Sequence, residues 1–72
     1  MDKMTAVNVK VNGYDKILPQ GVTLEALLEL LGIKTQGIAV ELNHKVVPKS
    51  AFPATIMRDK DAVEIIRMTG GG

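Results

Sequence analysis

Residues 23–32 read TLEALLELLG, and this stretch predicts the one clear helix of the chain. Its leucines recur at i, i+3, i+4 and i+7, which places them on one face of a helix: Leu24, Leu27, Leu28 and Leu31. Thr23 is a good N-cap, and Gly32 stands where a left-handed residue ends a helix. A leucine stripe can bind a partner, but in a chain this small we interpret it as core. The rest of the chain must therefore supply an apolar surface for the helix to cover.

A hairpin is predicted before the helix. Residues 5–12 alternate, with Val7, Val9 and Val11 on one face and polar side chains on the other, which is typical of a half-buried strand. Asn12-Gly13 then favours a turn, because both residues tolerate positive φ. A two-residue turn would set Val9 opposite Lys16 and bury a lysine. We therefore predict a three-residue loop that sets Val9 opposite Ile17.

Three more strands are predicted after the helix, at residues 38–42, 46–47 and 62–68. The segment from Lys49 to Thr55 is irregular, with one helical turn and Phe52 as its apolar anchor, and residues 58–61 form a charged turn. The order strand, strand, helix, strand, strand, strand predicts an α+β fold of the β-grasp type. Its mixed sheet has four to five strands, with the helix packed on one face.

The composition excludes several classes of function. A chain of 72 residues is one domain, and without cysteine it has no disulfide, thiolate nucleophile or zinc-ligand spacing. A net charge of +1, with one tyrosine and one phenylalanine, provides neither a basic field nor a stacking platform for nucleic acid. No apolar run reaches membrane-spanning length, and no signal-peptide core is present. We expect a cytoplasmic protein with neither nucleic-acid nor membrane partners.

The chain ends in Thr69-Gly70-Gly71-Gly72. Glycines gain nothing from packing and cost the most backbone entropy to order, so we predict a β-grasp domain over residues 1–68 and a flexible tail over residues 69–72. Extended, the four residues reach roughly 14 Å beyond the last strand. We interpret the carboxylate of Gly72 as the reactive group and Gly70 and Gly71 as a thread thin enough for a narrow channel. The alternative is a tail without function.

The other polar residues do not suggest an enzyme. His44 is the only histidine and lies in a predicted turn. Asp59 and Asp61 could suggest a metal site, but they flank Lys60 in a tight turn and are better interpreted as local charge balance. Ser50 has no nearby base. We predict no catalytic residue, metal or cofactor in this chain, which would take part in chemistry as a substrate or carrier.

An exposed patch is predicted beside the tail. If Val63 and Ile65 face the helix, then Ile66 and Met68 point to the opposite face by the period of a strand. They would form a possible partner-docking patch, unless a β-bulge turns them into the core.

Three blocks of the sequence resemble one known family. These are Gly37 to Asn43 (GIAVELN) followed by Val46-Val47-Pro48, Asp59 to Ile66 (DKDAVEII), and the terminal glycines. In order and at nearly full length, they resemble the small ubiquitin-like sulfur carrier proteins of thiamine biosynthesis, the ThiS family. The turn residues His44-Lys45 stand where Gly-Glu is frequent in that family. The chain also lacks the proline- and phenylalanine-containing segment that usually precedes the diglycine in molybdopterin-synthase small subunits.

The resemblance implies a carrier mechanism. An E1-like adenylyltransferase would use ATP and Mg²⁺ to adenylylate the Gly72 carboxylate. Sulfur from a cysteine desulfurase would then convert it to a thiocarboxylate, which thiazole synthase would use to build the thiazole ring. The alternatives are a molybdopterin-synthase small subunit or a ubiquitin-like protein modifier, which share the tail chemistry, and a β-grasp binding module whose glycines have no role.

Overall fold

The computed structural model describes residues 6–68. Its elements follow in the order β1 (Ala6–Val11), β2 (Tyr14–Pro19), α1 (Leu24–Leu30), β3 (Ile38–Leu42), β4 (Lys45–Val47), a 3-10 helix (Lys49–Ala54) and β5 (Ala62–Arg67). The strands form one five-stranded sheet in the order β2-β1-β5-β3-β4. β1 and β5 are parallel, and the other neighbours are antiparallel. The predicted β-grasp arrangement, a mixed sheet with one main helix, is confirmed.

Helix α1 begins and ends where its sequence predicts. The hydroxyl of Thr23 accepts a hydrogen bond of 3.1 Å from the backbone N–H of Ala26, which satisfies one of the free donors of the first turn. Gly32 has a φ of +71°, the left-handed conformation that commonly ends a helix. Three leucines of the stripe are buried, and Leu31 packs at the margin of the core. The interpretation of the stripe as core is confirmed.

The core lies between α1 and one face of the sheet. The sheet contributes buried aliphatic side chains from four strands: Val7, Val9, Leu18, Ile38, Val40 and Val63. The connection between β4 and β5 closes one end of this core, where Phe52 is 2% exposed and Met57 is 1% exposed. The prediction that Phe52 anchors this segment is therefore confirmed.

The predicted register of the first hairpin is wrong. Val9 lies opposite Lys16 and Val11 opposite Tyr14, so Asn12 and Gly13 form a two-residue turn. Both turn residues have positive φ, as such a turn requires. Lys16 is exposed in spite of this pairing, because β2 is the edge strand and only Leu18 of that strand is buried. The core does not cover the full width of the sheet, so a lysine opposite Val9 need not be buried.

Two predictions lie outside the described residues. The predicted first strand starts at Thr5, one residue before the described part of β1. The glycine tail, residues 69–72, follows Met68, the last described residue. The division into a domain and a tail therefore stays a prediction.

Candidate functional site

Strand β5 is the last described strand of the chain and leads towards residues 69–72, the predicted tail. It lies in the middle of the sheet, between β1 and β3. On the β3 side it is paired along its whole length, from Val63 opposite Leu42 to Arg67 opposite Ile38. The backbone N–H of Met68 also donates to the carbonyl of Gly37 at 2.8 Å. The backbone is thus held to the sheet up to Met68, the last described residue, directly before residues 69–72.

On its other side, β5 is held by the side chain of Asn12. β1 pairs with β5 only at Ala62 and Val63, after which the chain turns away into the hairpin. The Asn12 amide continues the pairing, since Oδ1 accepts from the backbone N–H of Ile65 at 2.6 Å and Nδ2 donates to the Ile65 carbonyl at 3.2 Å. It thereby occupies the place of a strand residue. Sequence reasoning used Asn12 only as a turn residue and missed this role.

Asn43 holds the beginning of β5 in a similar way. It lies in the β3–β4 turn with a φ of +52°, and its Oδ1 accepts from the backbone N–H of Ala62 at 2.9 Å. Its Nδ2 donates to Asp61 Oδ1 at 2.9 Å. The other carboxylate oxygen of Asp61 accepts from the backbone N–H of Arg58 at 2.8 Å. Side chains of two turn asparagines therefore hold β5, the strand that precedes residues 69–72.

The predicted turn before β5 is confirmed, but within residues 6–68 its carboxylates bind N–H groups instead of pairing with Lys60. Asp59 Oδ1 accepts from the backbone N–H of Asn8 at 2.8 Å, and both oxygens of Asp61 are used as described above. Lys60 between them has a φ of +73°. Within residues 6–68, no group of three or more histidine, cysteine or carboxylate side chains is placed to hold a metal ion.

The open face of the sheet, opposite α1, presents apolar side chains near the chain end. Ile66 is 41% exposed and Met68 is 54% exposed, while Val63 is buried on the helix side. Ala39 lies directly opposite Ile66 on β3 and extends this apolar area. No bulge interrupts the pairing between β3 and β5, so the alternation predicted for β5 is observed. Whether a partner docks on Ile66 and Met68 stays a prediction.

The remaining candidates are dispersed. His44 is exposed in the β3–β4 turn, at the rim of an open groove of about 490 Å³ that Glu41 and Glu64 also line. Ser50 is exposed on the 3-10 helix. Gly70, Gly71 and Gly72 lie outside the described residues.

No helix in the described part of the chain is long and apolar enough to cross a membrane.

Comparisons with known proteins agree with this architecture. A protein-family model, the ThiS family, matches residues 6–72. The sulfur carrier protein ThiS of Thermus thermophilus is 36% identical over 64 residues, which cover 89% of this chain and 98% of that protein. The crystal structure of the thiamine biosynthesis protein ThiS from Geobacter metallireducens has a TM-score of 0.81 and 35% identity, and the match covers 92% of this chain and 100% of that one.

A third relative is much longer than this chain. It is a thiazole synthase of Paramagnetospirillum magneticum, 39% identical over 62 residues, which are 86% of this chain but only 19% of that protein. The relatives therefore include both small carriers of similar length and long proteins in which a similar segment is a minor part. The resemblance noted in the sequence is confirmed by the family match, which covers all of the chain after residue 5, and the chain belongs to the ThiS family.

Proposed function

We propose that this chain is a sulfur carrier for thiamine biosynthesis and that the carboxylate of Gly72 carries the sulfur. The observation that supports this most strongly is the family match, which continues through the terminal glycines to residue 72. The fold adds a physical reason. β5 is clamped up to Met68, so the tail begins from a defined position. We infer that the partner enzymes bind the folded domain and that the chain end is the reactive part.

The proposed chemistry solves a leaving-group problem. A carboxylate is a poor acyl donor, because a hydroxide-like group would have to leave. An E1-like adenylyltransferase would let the Gly72 carboxylate attack the α-phosphate of ATP and release pyrophosphate, with Mg²⁺ bound by the enzyme. The terminal sulfur of a persulfide from a cysteine desulfurase would attack the acyl-adenylate, and AMP would leave. A thiol would then reduce the acyl disulfide with two electrons and leave the thiocarboxylate.

The partners supply the catalysis in this proposal. A tail without Cβ atoms can pass a narrow channel and leave the reacting carbon open to in-line attack. A segment similar to this chain occurs within the longer thiazole synthase of Paramagnetospirillum magneticum. This similarity supports thiazole synthase as the acceptor enzyme. A second thiazole synthase, of Magnetococcus marinus, is matched over 20% of its length at 33% identity.

Intact-mass measurement tests the proposal. We expect the full-length chain, incubated with the adenylyltransferase, ATP, a cysteine desulfurase and cysteine, to gain the mass of one oxygen-to-sulfur exchange at its C-terminus. Omission of ATP should leave the mass unchanged. Attachment to lysines of other proteins would instead identify a protein modifier. No change under any condition would identify a β-grasp binding module and refute the carrier proposal.

We also propose that Ile66 and Met68 form a docking patch for the adenylyltransferase. Ile66 lies on β5 and Met68 directly follows it, so a partner bound there would lie close to Gly72. Burial of such side chains contributes about 1.5–3 kcal/mol each when complete. Replacing both with serine is expected to raise the KM for the carrier at least about tenfold.

Ile17 provides the matched control for this docking patch. It is 67% exposed, and it lies on β2, at the edge of the same open face. Ile17→Ser should leave the KM unchanged. Equal KM values for the double variant and the wild type would show that the enzyme docks elsewhere.

A further inference from the structure

Beyond Val63, one side of β5 is an open backbone edge. Along β5, the residues that bond to β3 alternate with residues that face β1, as in any antiparallel ladder. Met68 N–H bonds to Gly37, and the Ala62 carbonyl accepts from Asn43, so the even-numbered residues face β3. The odd-numbered residues therefore face β1, as the bond from Asn12 N–H to the Val63 carbonyl at 2.8 Å shows.

Arg67 is the first residue of this edge without a described partner. Val63 bonds to β1, and both backbone groups of Ile65 are satisfied by the Asn12 side chain. No described residue bonds to the N–H or C=O of Arg67 on that side. An unpaired donor and acceptor in strand conformation form a template for another strand. The position is also next to the chain end.

A groove borders this edge on the helix side of the sheet. It has a volume of about 570 Å³, and its apolar lining includes the exposed Tyr14, and the half-buried Leu31, Ile33 and Ile65. Lys16 and Arg67 stand at its rim, and no acidic residue lines it. Neither cation forms an ion pair with another of residues 6–68. The groove therefore combines apolar surface, an open backbone edge and two cations that pair with no described carboxylate.

We infer that this edge and groove bind an extended segment of thiazole synthase by strand addition. Backbone hydrogen bonds to Arg67 would set the register of the segment. Its apolar side chains would lie on Leu31 and Ile33, and an acidic side chain would lie between Lys16 and Arg67. The inference rests on the proposed function, in which thiazole synthase is the acceptor enzyme because segments similar to this chain occur within two thiazole synthases. This surface lies on the opposite face of the sheet from Ile66 and Met68.

Hydrogen exchange at single amides tests the inference on the unmodified protein. In the free carrier, the Arg67 amide should exchange freely, whereas the Met68 amide, bonded to Gly37, should be protected. Exchange in the complex with thiazole synthase, followed by acid quench, should slow at Arg67 about tenfold or more, which reflects one new hydrogen bond. An Arg67 amide that exchanges equally fast in a demonstrable complex would overturn the inference.

Paired variants separate the backbone contribution from the charge. Arg67→Pro removes the N–H that faces the edge and leaves the bonds to β3, whereas Arg67→Val removes only the cation. Arg67→Pro should weaken binding to thiazole synthase about tenfold more than Arg67→Val does. Lys16→Glu should weaken it about fivefold, while Lys49→Glu, an equal charge change outside the groove, should not. Equal affinities of the two Arg67 variants would contradict strand addition. Equal affinities of the two lysine variants would contradict the proposed contact with an acidic side chain.

Two other outcomes are distinguishable. If protection of the Arg67 amide in the free carrier rises with the carrier concentration, the edge pairs with a second copy of this chain. That result would overturn the inference. If the chain gains no sulfur in the mass assay, the proposed function fails independently of any result at Arg67. A carrier that is loaded and bound, but leaves Arg67 open, would refute only this inference.

Discussion

A chain that lacks Gly72, or that carries one extra residue after it, is expected to lose sulfur loading by about 100-fold or more while its fold stays intact. In the proposed mechanism, the reacting carboxylate must reach the α-phosphate of ATP in a defined geometry. Because β5 is held to the sheet up to Met68, the domain cannot slide to compensate for a tail of the wrong length. One residue changes the reach by roughly 3.5 Å, whereas a misplacement of about 1 Å can already cost about 100-fold in rate.

The measurement is intact mass after incubation with the adenylyltransferase, ATP and the sulfur source, together with thermal unfolding of each variant. One extra residue placed before Met1 serves as the control and should leave loading unchanged. Unfolding temperatures should match the wild type in all cases, because residues 69–72 follow the clamped strand. Normal loading of either tail variant would refute the assignment of Gly72.

Leu27→Ala is expected to lower the free energy of unfolding by about 3 kcal/mol. Leu27 is 0% exposed and lies at the centre of the leucine stripe, where α1 meets the sheet. A domain of 72 residues has a total stability of roughly 4–10 kcal/mol. The substitution therefore removes a large fraction of that stability, and at the lower end of this range a measurable share of the chains would be unfolded at 25 °C.

Leu30→Ala is the matched control, because it makes the same chemical change in the same helix. Leu30 is 65% exposed, so its truncation leaves no cavity and should change the stability by less than about 0.5 kcal/mol. Urea unfolding of both variants, with slopes equal to the wild type, would measure the difference. Similar losses for Leu27 and Leu30 would show that α1 does not cover the sheet with the face described here.

The paired results also separate the two roles of the molecule. A tail variant removes the function and keeps the fold, whereas a core variant weakens the fold and leaves the chemistry of each folded molecule unchanged. If Leu27→Ala is assayed below its unfolding temperature, its loading rate should scale with the folded fraction. A loading rate far below that fraction would indicate that α1 also takes part in partner recognition.

Local sequence determined the elements of this fold. The leucine spacing, the Thr23 cap and Gly32 predict α1, and its observed range is Leu24–Leu30. The alternation of residues 38–42 predicts β3 with the observed bounds. These patterns depend only on residues that are close in sequence, so they can be recognised without knowledge of the fold. The family resemblance was also visible, because its motifs are contiguous.

Only the tertiary structure decided the register of β2 and the contacts along β5. Lys16 can lie opposite Val9 because β2 is at the sheet edge, and this depends on the strand order. The Asn12 amide reaches Ile65, which is 53 residues away in the chain. The open edge at Arg67 exists because β1 ends before β5 does. Contacts of this kind depend on how distant segments align in space, and no local periodicity encodes that alignment.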